Sequence, residues 1–367
     1  MEKKPKAPYL DNIETSCPAE FCPEHNDINA SENSEAKKLY TAIENLGYYK
    51  KLTERIYDCL HLCDDLLGST FDNKIQKLHD CGTLISVDDN GCVVSANFCR
   101  LRFCPMCQKR RSLRIASDFK KIMEYLSNFA WVHLVLTVPN CSAHELRSVL
   151  DDMQIASSRL FRFEPLQKAF KGIARCTEIT YNSTRKDYHP HFHCLIAVNK
   201  SYFKSRYYLP VEYIRKLWTV VYNAHTSGIK VRSRGDKYFF DLLDGFDFDI
   251  ETLYQCNISK ADTSAVAEIA KYCVKPLEIE GVTGAKLYRP LEVIYRALHG
   301  RRLVQTYGVI KEASRALRVD FDTFNDEVLS DLSDNNNLDR TNVRSYNWNR
   351  TFCKYVPLLS DPSFTLQ

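Results

Sequence analysis

Two neighbouring segments constrain the fold of this chain more than any other feature. IARCTEITYN (173–182) and HPHFHCLIAV (189–198) are runs of apolar and β-branched residues, joined by the polar turn STRKDY. That pattern predicts two β-strands. Alternation along the second strand sends Phe192, Cys194, Ile196 and Val198 to one face and His191 and His193 to the other. The first set needs a core. An earlier run, WVHLVLTVPN (131–140), reads as a further buried strand that stops at Pro-Asn.

Two imidazoles about 7 Å apart at Cα on one strand face can hold a single ion. His189 falls on the same side, before Pro190. Across the hairpin, Glu178 can supply a carboxylate oxygen, giving two nitrogens and one oxygen with open positions. Such a mixed, incomplete shell suits a divalent ion that must accept a phosphate oxygen from substrate. A lone histidine would read as a satisfied core residue; three within five residues favour metal.

Cysteine is the unusual item of composition, with 15 in 367 residues. The odd count, the polar start MEKKPKAPYLDNIETSC and the lack of any apolar run near 18 residues argue against a secreted disulfide scaffold and a membrane span. A reducing cytoplasm is the expected setting, where clustered cysteines usually mean metal. Cys99, Cys104 and Cys107 form C-x4-C-x2-C, with Cys81 eighteen residues earlier as the natural fourth ligand. Four thiolates leave no open position, so a structural Zn²⁺ is expected. Cys92 and His79 are the possible replacements for Cys81. Cys59 and Cys63, four apart, fit a buried helix face. Cys17, Cys22 and His25 lack an evident fourth ligand.

The net charge of +4 names no polyanionic partner. The positive charge is concentrated locally: Arg100, Arg102, Lys109, Arg110, Arg111, Arg114, Lys120 and Lys121 face one acid, Asp118, in that stretch. A basic knob locked by zinc suits the phosphate backbone, with Arg100, Arg102, Arg110, Arg111 and Arg114, then Arg301 and Arg302, as expected DNA contacts. A plain solvated helix face is the competing reading of that stretch.

The length predicts two or three units. A disordered leader is expected over 1–34, a helical segment over 35–78, a zinc module with basic helix over 79–128, a catalytic domain over 129–319 and an acidic, partly disordered tail over 320–367. Helices are predicted near 35–67, 108–127, 143–170 (broken near Pro165), 210–223, 264–274 and 288–299. A mixed strand region is predicted over 228–258, and HGRRLVQTYGVI (299–310) reads as strand-like. In EIAKYCVKP, Glu268 and Tyr272 share a helix face, with Lys271 beside it and Lys275 a turn beyond the Tyr. A tyrosine so placed could be a nucleophile, since an adjacent ammonium lowers a phenol pKa from about 10.

LVLTVPN, HPHFH and E-x3-Y-x2-K occur in that order. In order and spacing the chain resembles the rolling-circle replication initiators (Rep proteins) of small bacterial plasmids, within the HUH endonuclease superfamily. FCRLRFCPMCQKRRS is similar to the cysteine-rich element that precedes the first motif in one branch. The resemblance spans about residues 79–310. It implies an α+β fold, with a central antiparallel β-sheet, flanking helices and the histidines on a middle strand. It implies that His191 and His193 bind Mg²⁺ or Mn²⁺, and that Tyr272 cuts single-stranded or extruded plasmid origin DNA to leave a 5′-phosphotyrosine and a 3′-OH primer. Glu268 would activate the water that ends the cycle. A host helicase and DNA polymerase are the implied partners. An HUH transposase, and a non-catalytic zinc-dependent DNA-binding regulator, are the competing readings.

Overall fold

The computed structural model describes residues 34–67, 71–89, 91–228, 254–261, 285–302, 304–319, 321 and 343–358. It is an α+β fold with two antiparallel sheets flanked by helices. The larger sheet has five strands: β3 (Phe129–Thr137), β4 (Phe170–Asn182), β5 (Asp187–Asn199), β6 (Cys256–Ala261) and β7 (Val304–Tyr307). Their order is β6-β3-β5-β4-β7, so the histidine strand β5 is the middle one. The predicted hairpin is β4-β5, in register from Ile173↔Ile196 through Glu178↔His191 to Asn182↔Asp187.

Alternation divides this sheet as the sequence implies. Val132, Leu134, Leu136, Phe192, Cys194, Ile196 and Val198 join one core cluster, covered by Met153, Ala156 and Leu160 of α4 (Leu146–Leu160), Leu166 of α5 (Glu164–Ala169), and Ile214, Leu217 and Trp218 of α6 (Val211–Thr226). Pro165 lies in the first turn of α5 and is tolerated there, since its missing N–H would be unsatisfied anyway. The Trp218 indole donates to the Thr137 carbonyl at 2.6 Å, fixing α6 to the end of β3. On the opposite face, Trp131, Ala174, Leu195 and Ala197 pack against Ile115, Phe119 and Ile122 of α3 (Pro105–Tyr125) and Ile310 and Ala313 of α8 (Gly308–Ala316). Those helices cover one end of that face, and the histidines lie toward the other end of β5.

HGRRLVQTYGVI is strand only over Val304–Tyr307. Gly308, at φ +57°, then starts helix α8. Gly308 bridges Gly172 of β4, and a Cβ on Gly172 would come within 2.8 Å of the Ile310 backbone nitrogen. Two facing glycines therefore let α8 sit directly on the sheet edge.

The smaller sheet draws on both the cysteine-rich segment and the expected tail. Its order is β2-β1-β8-β9, in which β1 (Leu84–Val87) and β2 (Val93–Ala96) come from the cysteine-rich segment. β8 (Arg344–Asn349) and β9 (Lys354–Pro357) come from the residues expected to form a partly disordered tail. Ile85, Val87, Tyr346, Trp348 and Tyr355 bury one face of this sheet against Leu39 of α1 (Ser34–Leu67). The acidic residues between Asp320 and Asp339 lie outside the described residues, as do 1–33. Beside this sheet, α1, α2 (Asp72–Asp80), the cysteine loop and α7 (Ala285–Leu298) share a second core with Leu60, Phe71, Leu78, Phe103, Tyr288 and Leu291. No helix among the described residues is long and apolar enough to cross a membrane.

Candidate functional site

The middle of the large sheet carries a row of polar side chains that register alone brings together. Glu178 stands opposite His191, and its Oε2 lies 2.7 Å from His193 Nε2. Both side chains are under a tenth exposed. From the other neighbouring strand, His133 Nε2 reaches His193 Nδ1 at 3.1 Å, with the two rings stacked. Thr180 Oγ1 lies 3.3 Å from His191 Nε2, and the His189 ring lies 4.2 Å from that of His191. Burial lowers the His189 pKa, favouring the neutral, ligand-competent imidazole.

His133 and Thr180 were not singled out from the sequence. His133 had a usable signal, since it interrupts an apolar run on the face opposite Val132, Leu134 and Leu136. The His191 and His193 rings are 6.2 Å apart. On the reverse side, the Arg175 guanidinium lies 4.4 Å from the centre of the Phe192 ring and is hydrogen-bonded to Ser157 and Gln305. Complete burial pushes the Cys194 thiol up to about 12, which fits its reading as a space-filling residue.

The four predicted cysteines converge. Cys81, Cys99, Cys104 and Cys107 place their sulfurs within 4.8 Å of one another. The closest pairs are Cys104–Cys81 at 3.5 Å, Cys99–Cys107 at 3.6 Å and Cys81–Cys107 at 3.7 Å. A tetrahedral ion with Zn–S bonds of about 2.3 Å has S–S edges of about 3.8 Å, so this cluster could hold a metal such as zinc. Backbone N–H groups of Cys99 and Arg100 point at Cys81 Sγ and Cys107 Sγ at 3.3 and 3.2 Å, the outer contacts that fix thiolate ligands. Arg100 adopts φ +64° to make this turn. Cys92 is exposed and His79 bonds Asp80, so neither replaces Cys81. Hydrogen bonds from Cys104, Cys81 and Cys99 hold the Cys107 thiol well below its usual value, while the same cluster pushes Cys81 up. Bound metal would hold all four as thiolates.

Among the remaining cysteines, Cys59 and Cys63 are buried in α1 as expected. Cys176 is disulfide-bonded.

Two expected DNA contacts require correction. Arg111 is 2% exposed and donates to the carbonyls of Leu101 and Arg100. Arg102 is 9% exposed and donates to those of Leu298 and Arg301. These guanidinia satisfy the carbonyls of the cysteine loop and of the α7 end, because a tight turn leaves backbone acceptors that its own N–H groups cannot reach. Arg114 pairs with buried Asp118 at 3.1 Å, and Arg110 stacks on Phe98 at 4.6 Å. Arg301 bonds Asp151 and two carbonyls, whereas Arg302 is exposed. Glu268, Lys271, Tyr272 and Lys275 lie outside the described residues.

A family model described as a replication protein, Rep_1, matches residues 91–356. The chain is similar to a protein named "Protein rep" from a Bacillus species, with 31% identity over 76% of this chain and 86% of that protein. It is also similar to proteins of the same name from Bacillus amyloliquefaciens, with 29% identity over 76% and 78% of the two chains, and from Streptococcus pneumoniae, with 26% identity over 87% and 88%. No solved structure gives a significant match.

Proposed function

Because this chain belongs to the Rep_1 family of replication proteins, which initiate plasmid replication, we propose that it nicks and rejoins plasmid origin DNA through a 5′-phosphotyrosine on Tyr272. The observation that carries this reading is the buried Glu178–His193 contact at 2.7 Å, beside His191 on the middle strand. Two imidazole nitrogens and a carboxylate oxygen are the donor chemistry a divalent ion takes, though among the described residues only the four cysteines bring their ligand atoms within metal-binding distance of one another. The shared position between Glu178 Oε2 and His193 Nε2 is where a cation would compete with a proton. Bound Mg²⁺ or Mn²⁺ would polarise a non-bridging phosphate oxygen.

The residues of the chain supply the rest. His133 holds the His193 ring through Nδ1 and leaves Nε2 directed at Glu178. Thr180 holds the His191 ring through its Nε2. Tyr272 Oη forms the bond to phosphorus as the bond to the 3′-oxygen breaks. The phenolic proton passes to solvent water, and the leaving 3′-oxygen takes one from solvent water, giving the 3′-OH primer end. Lys271 and Lys275 favour the phenolate. The phosphodiester energy stays in the covalent link, so the strand can be rejoined without ATP. Glu268 activates the water that hydrolyses the last link. The 3′-OH would be extended by host DNA polymerase behind a host helicase, in the cytoplasm where a plasmid resides. Zn²⁺ on the four cysteines would stabilise the module and take no part in the chemistry.

The deciding experiment incubates the protein with Mn²⁺ and a single-stranded origin oligonucleotide, then resolves the products on a denaturing gel. A covalent adduct is expected from the unaltered chain and none from Tyr272→Phe. An adduct that survives Tyr272→Phe would remove that residue as nucleophile. Glu268→Ala is expected to nick and join without releasing hydrolysed product, and unchanged hydrolysis would overturn its role.

A further inference from the structure

The edge of the large sheet beyond β4 opens into a groove of about 1020 Å³. Val304, Gln305, Thr306 and Tyr307 of β7 form its floor, and this strand pairs with β4 alone among the described strands. One wall is α4 and the other is α8. Among the described residues six cationic side chains line it, Arg147, Arg301, Arg302, Lys311, Arg315 and Arg318, against one carboxylate, Asp151. Asp151 is already paired with Arg301 at 2.8 Å.

The α8 wall has a pattern of its own. Lys311 and Arg315 are four residues apart and project from one face of α8, and Arg318 follows in the turn beyond the helix end, at φ +53°. All three are exposed, and among the described residues neither an ion pair nor a hydrogen bond engages their side chains. Tyr307, 39% exposed, adds an aromatic ring to the floor. Exposed cations set close together in excess of nearby carboxylates repel one another, and the fold sets them in a concave surface that focuses their field.

We infer that this groove is a track for the phosphodiester backbone of DNA, separate from the basic cysteine module. The inference rests on the reading that the protein handles origin DNA, and it names which surface holds the DNA flanking the cut. Register sets the placement. Cys176 of β4 pairs with His193 on one side and with Val304 on the other. The groove floor thus begins level with the candidate site and two strand spacings away, about 10 Å. DNA leaving the histidine row across β4 would enter it. Arg302, expected to touch DNA from the sequence, belongs here, while Lys311, Arg315 and Arg318 add contacts that the sequence did not suggest.

The test is binding of the full chain to fluorescent origin DNA without divalent metal, by anisotropy over a salt series. Single-stranded and duplex probes are used in separate arms. Each lost phosphate contact flattens the slope of log K against log salt by about 0.9 for duplex and about 0.7 for a single strand. Lys311→Ala/Arg315→Ala should therefore flatten it by about 1.8 or about 1.4, and the arm that responds identifies the strand held. At 0.1 M salt this corresponds to a loss of roughly 60-fold on duplex or 25-fold on a single strand. Lys311→Arg/Arg315→Lys, which keeps the charge, should bind within about twofold of the unaltered protein. An unchanged slope in both arms, with the double variant folded by circular dichroism, would overturn the inference. Equal loss in the charge-keeping variant would also overturn it. Covalent adduct formation by the unaltered chain is scored separately, so failure of the nicking reading would show there and not in the salt slope.

Discussion

Replacing Glu178 separates its two roles on the sheet. With the side chain removed in Glu178→Ala, His193 Nε2 loses its 2.7 Å partner while remaining under a tenth exposed. A buried polar group so orphaned costs about 1–3 kcal/mol. At about 2–4 °C per kcal/mol for a domain of this size, Tm should fall by roughly 4–8 °C for the middle of that range. Glu178→Gln keeps an acceptor and the volume, so its metal-free Tm should stay within about 3 °C of the unaltered chain, as a loss below about 1 kcal/mol implies. Metal should reveal the charge. At Mn²⁺ 100-fold above Kd, binding to the native state adds about 2.7 kcal/mol, or roughly 5–10 °C. That increment should vanish in both variants. The assay is differential scanning calorimetry with chelator and then with excess Mn²⁺. A Mn²⁺ shift retained in Glu178→Gln would refute the carboxylate as a ligand, and an undisturbed metal-free Tm in Glu178→Ala would refute the buried contact itself.

Other outcomes follow from the same structure. Cys104→Ser should remove about one zinc per chain, measured by elemental analysis, and should make the unaltered chain's response to chelator disappear. Phe192→Ala, which empties a 2%-exposed core position beneath Arg175, should cost about 3–5 kcal/mol in urea unfolding. Gly172→Ala should destabilise by about 1–3 kcal/mol, because its Cβ meets the Ile310 backbone. With the Cys194 thiol pushed up to about 12 by burial, only about one molecule in ten thousand is thiolate at pH 8. Alkylation followed by mass spectrometry should therefore label exposed Cys92 and Cys353 readily and leave Cys194 untouched until the chain unfolds.

The sequence was informative where periodicity and local spacing decide the structure. The β4-β5 hairpin, the facing of His191 and His193, the Glu178 partnership and the four cysteines all depend on alternation or on short C-x-C distances. What it hid depends on contacts between distant segments. His133 reaches His193 only because β3 lies beside β5, a pairing across 60 residues. Arg102 and Arg111 read as surface cations by type, but backbone acceptors of a folded loop claim them. The residues of β8 and β9 follow a polar acidic stretch and look like its continuation, until Trp348 and Tyr355 pack edge to face at 5.1 Å in another segment's sheet. Helix α8 was obscured by a glycine that reads as a strand end and serves as a helix start.

Strand β8 lies between β1 and β9, and Ser86 meets Ser345 across 259 residues. Closing so long a loop costs about 3 kcal/mol more in chain entropy than closing a ten-residue turn. The order of synthesis therefore matters. The β1-β2 hairpin beside the cysteine cluster emerges early, yet one edge of it waits unpaired until the whole of the larger sheet has been translated. A prematurely terminated product ending before Arg344 would carry every candidate site residue and still expose that edge. Such a product is open to proteolysis and strand-mediated aggregation. The smaller sheet thus joins the segments most distant in the described chain, and its first hairpin stays half-paired until β8 arrives.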